Sequence, residues 1–256
     1  MTGGGSGGWL AIAGLGPGDA ALVTPEVTAA LDAASDVIGY LPYVARVAPR
    51  AGLTLHASDN RAERDRAALA LRLAADGRRV VVVSSGDPGV FAMAAAVFEA
   101  LEQGDRAWRA LDIRVLPGIT AMLAASARAG APLGHDFCAI NLSDNLKPWP
   151  LIARRLHLAA AADFAIALYN PRSRARPDRL DEALAILRES CGDARPVLFA
   201  RAVSTPEETL RIVPLPDARG AMADMQTMVI VGASRTRMIA RPDTAGGPLL
   251  YTPRSA

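Results

Sequence analysis

The chain has 256 residues, enough for one large domain or two small ones. Lys and Arg number 28 against 26 Asp and Glu, a formal net charge of +2, so the broad basic field of a general nucleic-acid binder is absent. Cys138 and Cys191 form neither a Cys-x-x-Cys pair nor a disulfide framework, and His56, His135 and His157 lack metal-ligand spacing. The longest apolar stretch, Leu158 to Tyr169, is broken by Asp163 and falls short of the ~18 residues of a membrane helix. The expectation is a soluble cytoplasmic protein with no metal site, no nucleic-acid partner and no membrane partner.

In chain order, Gly-rich residues 1–8 lack both a basic start and an apolar signal region and read as a flexible leader. Leu10 to Ala13 is a short apolar strand running into Gly14. Thr24-Pro25-Glu26 starts a helix: Thr24 caps, Pro25 suits the first helical position and Glu26 complements the positive helix end. Val27, Ala30, Leu31 and Ala34 then share a face, and Val37 to Tyr40 reads as a strand. Asp59 to Asp76 reads as a charged helix with Leu69 and Leu73 inward, stopped at Gly77. The four valines Val80 to Val83 have the pattern of a strand buried on both faces. After Pro88, residues Val90, Ala94, Val97, Phe98 and Leu101 fit a helical period, and Ile113 to Leu116 is the next strand.

Pro117-Gly118 reads as a hinge, followed by a small-residue helix over Ile119 to Ala129. Strands are expected at Phe137 to Leu142, Phe164 to Tyr169, Val197 to Ala200, Leu210 to Val213 and Met228 to Val231. A loop is expected at Ser143 to Pro150, and a helix carries Leu180, Leu184 and Leu187. The fold class is α/β, with a mostly parallel N-terminal sheet over 9–117 and an α+β mixed-sheet domain over 118–240. Residues 241–256, rich in Pro and Gly, are expected to form an irregular tail.

Three segments carry the functional signal: Gly14-Leu15-Gly16-Pro17-Gly18-Asp19, Ser84-Ser85-Gly86-Asp87-Pro88-Gly89-Val90-Phe91 and Leu116-Pro117-Gly118-Ile119-Thr120-Ala121. Each follows a strand and opens toward a helix, and in open α/β sheets such turns sit at the ligand-binding strand ends. The first is not a dinucleotide fingerprint, because Asp19 stands where a third glycine is needed, and no Lys follows to make a P-loop. It satisfies the Gly-x-Gly-x-Gly of ordinary Rossmann methyltransferases, but Ile12 occupies their usual acidic position and Pro17 removes a backbone donor. A tight turn without a ligand remains open for this segment alone. Asp87 is either an acceptor for ligand hydroxyl or ammonium groups or a helix cap. Arg172, Arg174, Arg176 and Arg179 are either a solvated loop and helix start or a local site for an anion.

Taken together, these segments resemble the tetrapyrrole methylase family, whose members transfer a methyl group from S-adenosylmethionine (SAM). Ser-Gly-Asp-Pro-x-x-Phe after an all-valine strand resembles the family's SAM loop, Pro-Gly-Ile-Thr-Ala its interdomain segment and Thr227 to Gly232 its closing strand. The likeness runs from about Trp9 to Ser234. Gly39-Tyr40-x-x-Tyr43, Ser85 to Ala94, Leu142 to Trp149 and Leu168 to Ser173 are most similar to the branch serving cobalamin biosynthesis, with a departure at Asn145 and Lys147 in a loop expected to face substrate.

The resemblance implies a SAM-dependent C-methyltransferase of two domains gripping the cofactor, with S-adenosylhomocysteine as product. It implies cofactor contacts at Pro17, Gly86, Asp87, Val90, Phe91, Thr120 and Ala121, and an adenine pocket at Leu168, Tyr169, Ala202 and Met228. The substrate implied is a tetrapyrrole bearing many carboxylates, and the residues expected to bind them are Lys147, Asn170, Arg172, Arg174 and Arg61. Contraction of the macrocycle, a property of this branch, benefits from a positioned acid or base; the candidates are Asp144, Tyr40, His135 and Asp59. Their structural alternatives are turn caps for Asp144 and Asp59, a core aromatic for Tyr40 and a surface residue for His135. A homodimer is implied by the resemblance alone. Competing readings are a related methylase acting at another ring carbon or on a cobalt-containing intermediate, and a non-catalytic SAM-binding module.

Overall fold

A computed structural model describes residues 7–59, 62–191, 194–242 and 247–255. The chain forms two compact units, Met1–Thr120 and Ala121–Ala256. The first six residues of the expected leader, and Arg61 among the expected substrate residues, lie outside the described residues.

The first unit runs β1 (Trp9–Gly14), α1 (Pro25–Ala33), β2 (Asp36–Tyr40), α2 (Leu41–Val44), β3 (Thr54–Ser58), α3 (Glu63–Ala75), β4 (Arg79–Ser84), α4 (Met93–Gln103) and β5 (Asp112–Leu116). Its five strands are all parallel, in the order β3-β2-β4-β1-β5. Val80 to Val83 are fully buried because alternate valines feed two cores. Val80 and Val82 join Leu10, Ile12 and Ile38 under α3 and α4, while Val81 and Val83 join Ala11, Ala13 and Val37 on the opposite face with Val27. Thr24 caps α1 as expected, its Oγ1 accepting the Val27 N–H at 3.3 Å.

Several expected elements shift. The helix expected over 59–76 is α3, Glu63–Ala75, and its buried stripe is Arg66, Ala67, Ala70, Leu71 and Ala74 rather than Leu69 and Leu73, which are only half-buried. Small alanines let this face pack closely on the sheet, and the larger leucines fall to its margins. The helix expected from Val90 begins only at Met93, because Val90 lies in the preceding turn and Phe91 has a left-handed backbone, φ +53°. Strand β3, with no long apolar run, was not legible at all.

The second unit runs α5 (Ala121–Ala129), β6 (Gly130–Ala131), β7 (Phe137–Asn141), α6 (Trp149–Ala161), β8 (Ala165–Tyr169), α7 (Arg179–Ser190), β9 (Pro196–Arg201), β10 (Thr209–Pro214), β11 (Thr227–Val231), β12 (Arg237–Ile239) and β13 (Leu249–Tyr251). The main sheet is β10-β9-β11-β8-β7; β7 and β8 are parallel and the other neighbours antiparallel, the mixed sheet expected. Helix α6 begins inside the loop expected at Ser143 to Pro150 and takes up the start of the apolar stretch, whose end is β8; Ile152 and Leu156 are its fully buried residues. The tail expected to be irregular contains β13, which pairs antiparallel with β12 and parallel with β6. Leu250 is fully buried there, enough to order a strand despite its Pro and Gly neighbours.

Candidate functional site

Strands β4, β1 and β5 are adjacent and parallel, so the three glycine turns that follow them emerge side by side at one edge of the first sheet. The first two are stitched main chain to main chain: Gly16 N–H donates to the Gly86 carbonyl at 3.1 Å and Gly86 N–H returns to Gly16 at 2.9 Å. A side chain at Gly14 would meet the Gly86 carbonyl at 2.5 Å and the Gly118 Cα at 2.9 Å, so the three turns approach as only glycines allow. Asp87 completes the cluster. Its Oδ1 accepts the Gly89 N–H at 2.8 Å and its Oδ2 accepts the Gly118 N–H at 3.1 Å. Asp87 therefore caps no helix; it closes its own turn and ties that turn to the third.

A residue the sequence did not signal braces the first turn. Arg46 donates to the carbonyls of Leu15 at 2.5 Å, Gly18 at 3.1 Å and Gly16 at 3.3 Å. No motif marks a lone arginine whose partners are all carbonyls. Pro17 and Val90 are half-buried, the Phe91 side chain is half-exposed on its strained backbone, and Thr120 is buried.

Tyr40, the last residue of β2, and Asp59, which follows β3, lie at the same edge. The Tyr40 ring stands edge-on to Tyr43, centroids 5.3 Å apart at 89°. The Asp59 carbonyl accepts from Arg66 Nη2 at 2.8 Å. Arg66 is buried, and its other bonds run to Ser58 Oγ at 3.0 Å and Met93 Sδ at 3.3 Å. Burial pulls its guanidinium below the ordinary arginine range.

In the second unit, parallel β7 and β8 likewise end side by side. Asn141 Oδ1 accepts both the Ser143 N–H at 2.8 Å and Asn170 Nδ2 at 3.0 Å, which joins the two strand ends. Asn170 sits at φ +50°, a conformation asparagine tolerates better than most residues. The Tyr169 hydroxyl accepts the Met122 N–H at 3.3 Å, near the start of α5. Leu168 and Met228 are buried, and the antiparallel register of β8, β11 and β9 brings them to the same edge as Ala202, which follows β9 at φ +47°. Among the described residues five non-glycines have positive φ, and three of them are the expected site residues Phe91, Asn170 and Ala202. Such backbone costs roughly 1–3 kcal/mol at each position and gathers at functional sites.

Two of the expected acid–base residues do not fit that role. Asp144 Oδ2 takes a forked pair from Arg179, Nε at 3.0 Å and Nη2 at 2.7 Å, and Arg176 Nε lies 3.9 Å from Oδ1. The Arg179 hydrogen bonds hold the Asp144 carboxyl below its usual range, so it stays ionised and is no proton donor. Arg179 also binds Glu182 and lies 4.7 Å over the Trp149 ring. His135 precedes β7, at the opposite end of that strand from Asp144, and its Nδ1 accepts the Asp136 N–H at 2.7 Å in an exposed turn. Of the expected substrate residues, Arg172 Nε is spent on the Pro177 carbonyl at 3.1 Å, Arg174 is exposed, and burial followed by the charge of Arg155 lowers the Lys147 ammonium. Both thiols are shifted upward by burial, which makes them poor nucleophiles. Among the described residues no helix is long and apolar enough to cross a membrane.

A parallel sheet whose glycine turns are braced through backbone, joined in one chain to a mixed five-stranded sheet, defines a two-unit α/β protein. The model of the Tetrapyrrole (Corrin/Porphyrin) Methylases matches residues 10–219, and the chain belongs to that family. It is 53% identical over 248 residues to a precorrin-3B C(17)-methyltransferase of Sinorhizobium sp, covering 96% of each chain. It is 38% identical over 228 residues to a probable cobalt-factor III C(17)-methyltransferase of Salmonella typhimurium, covering 89% of this chain and 93% of that one. The crystal structure of the methyltransferase CobJ superposes with a TM-score of 0.90 at 61% identity, covering 96% of this chain and all of that one.

Proposed function

We propose that this chain is a SAM-dependent C-methyltransferase of cobalamin biosynthesis that methylates carbon 17 of precorrin-3B and contracts the ring to give precorrin-4. The 53% identity to the Sinorhizobium enzyme over nearly the whole of both chains carries this reading. The glycine turns suit such a cofactor, since three main-chain segments converge at one sheet edge with a closeness that a Cβ at Gly14 or Gly118 would prevent. When bound, SAM supplies its methyl group as a sulfonium electrophile and leaves as S-adenosylhomocysteine.

The residues of this chain act mainly by positioning, which supplies a large part of the acceleration in a two-reactant step. Gly86, Val90, Phe91 and Thr120, with Pro17 and Ala121, hold the methionine and ribose portion. Asp87 acts through the turns it ties together. Leu168, Tyr169, Ala202 and Met228 take the adenine. Tyr40 and Asp59 are the remaining acid–base candidates for ring contraction, with Asp144 reassigned to holding Arg176 and Arg179. The same reading carries a homodimer in the cytoplasm, which light scattering of the purified protein tests.

Incubation with precorrin-3B and methyl-labelled SAM without oxygen, followed by mass spectrometry, tests the assignment. One labelled methyl on a rearranged macrocycle is the expected product. The relatives acting on cobalt-factor III, at 38% identity, make the cobalt-containing ring the second substrate to assay. Turnover of that ring alone moves the assignment to it.

A further inference from the structure

The turn that follows β8 holds two buried polar atoms with no hydrogen-bond partner among the described residues, Ser173 Oγ and Arg176 Nη1. They lie in one tight turn, closed by Ser173 N–H to the Arg176 carbonyl at 3.3 Å and Arg176 N–H to the Ser173 carbonyl at 3.1 Å. A buried donor without an acceptor is costly, and a buried guanidinium more so than a neutral group. The nearby carboxylates do not relieve it. Asp144 spends Oδ2 on Arg179, and its Oδ1 is 3.9 Å from Arg176 Nε, beyond hydrogen-bond reach. Glu182 is likewise taken by Arg179. The turn is therefore held ready by its neighbours while two of its own donors have nothing to bind.

We infer that Ser173 and Arg176 form a subsite for a carboxylate of the ligand, Arg176 donating from Nη1 and Ser173 from its hydroxyl. This rests on the tetrapyrrole reading of the site, whose substrate carries carboxylates, and it relocates their recognition within the arginine cluster. Arg172 is bound to the Pro177 carbonyl, Arg179 to Asp144 and Glu182, and Arg174 is exposed. Arg176, its side chain 14% exposed, is the member of the cluster with a buried donor atom, Nη1, that has no partner among the described residues. Asp144 and Arg179 are positioning residues for it, and Trp149, lying under Arg179, gives the cluster an optical reporter.

The test measures affinity for uroporphyrin I, a porphyrin with eight carboxylates, beside a cationic tetrapyridinium porphyrin, with SAM affinity and the precorrin-3B KM measured on the same proteins. Arg176→Met is expected to weaken uroporphyrin binding by about tenfold or more and to raise the precorrin-3B KM similarly, with SAM affinity unchanged. Ser173→Ala gives a smaller loss, about two- to fivefold, and Arg176→Lys recovers part of it. Arg211→Met, an exposed arginine on β10, serves as the charge control and leaves all of these unchanged. Unaltered uroporphyrin affinity in Arg176→Met and Ser173→Ala, or an equal loss for the cationic porphyrin, overturns the inference. If Arg176→Met fails to fold, Ser173→Ala and Arg176→Lys decide. Wild-type protein that turns over precorrin-3B while both variants match it refutes the subsite alone. Wild-type protein that binds uroporphyrin through Arg176 but methylates no precorrin refutes the proposed reaction and leaves the subsite standing.

Discussion

Asp87 and Gly118 are joined by one hydrogen bond, from the Gly118 N–H to Asp87 Oδ2 at 3.1 Å, and through it the turn after β4 holds the turn after β5. Asp87→Asn keeps the shape, but its amide offers a single oxygen to two N–H donors. We expect SAM affinity to fall about tenfold or more, with unfolding midpoints lowered by only a few degrees, as a calorimetric titration beside a thermal melt would show. A variant binding SAM as tightly as wild type would remove Asp87 from the assembly of the site.

Arg46 and Arg50 make the same kind of contact in different places. Arg46 donates to three carbonyls of the first glycine turn, while Arg50 donates to the Leu31, Asp32 and Ala34 carbonyls at the end of α1. Arg46→Met should weaken SAM several-fold, and Arg50→Met should lower stability by about 1 kcal/mol without touching SAM affinity. Equal effects of the two changes on cofactor binding would mean that neither arginine shapes the turn in particular.

Asp36 sits almost fully buried at the amino end of β2. Burial opposes its ionisation, but hydrogen bonds from Arg78, His56 and Ser35 outweigh that and draw the carboxyl down to about 2. A carboxyl whose pKa is lower in the folded than in the unfolded chain stabilises fully above the unfolded value. That stability drains as pH falls from about 4 through about 2, and amounts to about 2 kcal/mol. Urea melts across that range should show the loss in wild type and a flatter profile in Asp36→Asn. Parallel profiles would place the acid sensitivity elsewhere.

Hydrogen bonds from Arg179 hold the Asp144 carboxyl below its usual range. Asp144→Asn should raise the KM for precorrin-3B, through release of Arg176 and Arg179, and leave the pH dependence of kcat as it was. Disappearance of an ionisation from the kcat profile would restore Asp144 as a proton donor or acceptor.

The sequence announced the strands whose side chains are apolar on both faces, Val80 to Val83 most clearly, and the glycine turns that follow them. It gave no sign of β3, whose residues are at most half-buried, or of the delayed start of α4, because the left-handed Phe91 is a property of the packed turn and not of a residue preference. Candidate site residues were legible where a motif required a glycine or a proline. Arg46 and the orphaned donors of Ser173 and Arg176 were not, since their meaning depends on which carbonyls and carboxylates surround them in space. Asp144 was visible as an acidic residue near an arginine-rich loop; that its charge is already claimed follows only from the fold.

Strand β1 is made well before both of its sheet neighbours: β4 aligns Arg79 with Trp9, and β5 aligns Asp112 with Trp9. The stitched turns therefore cannot exist in an emerging chain that stops short of Gly118. On the proposed reading, in which these turns hold SAM, cofactor binding reports on completed assembly; because a ligand that binds only the native form stabilises it by mass action, SAM then acts as a late fastener on the first unit rather than as a template for it. A nascent chain or a proteolytic fragment lacking β5 should gain nothing from its presence.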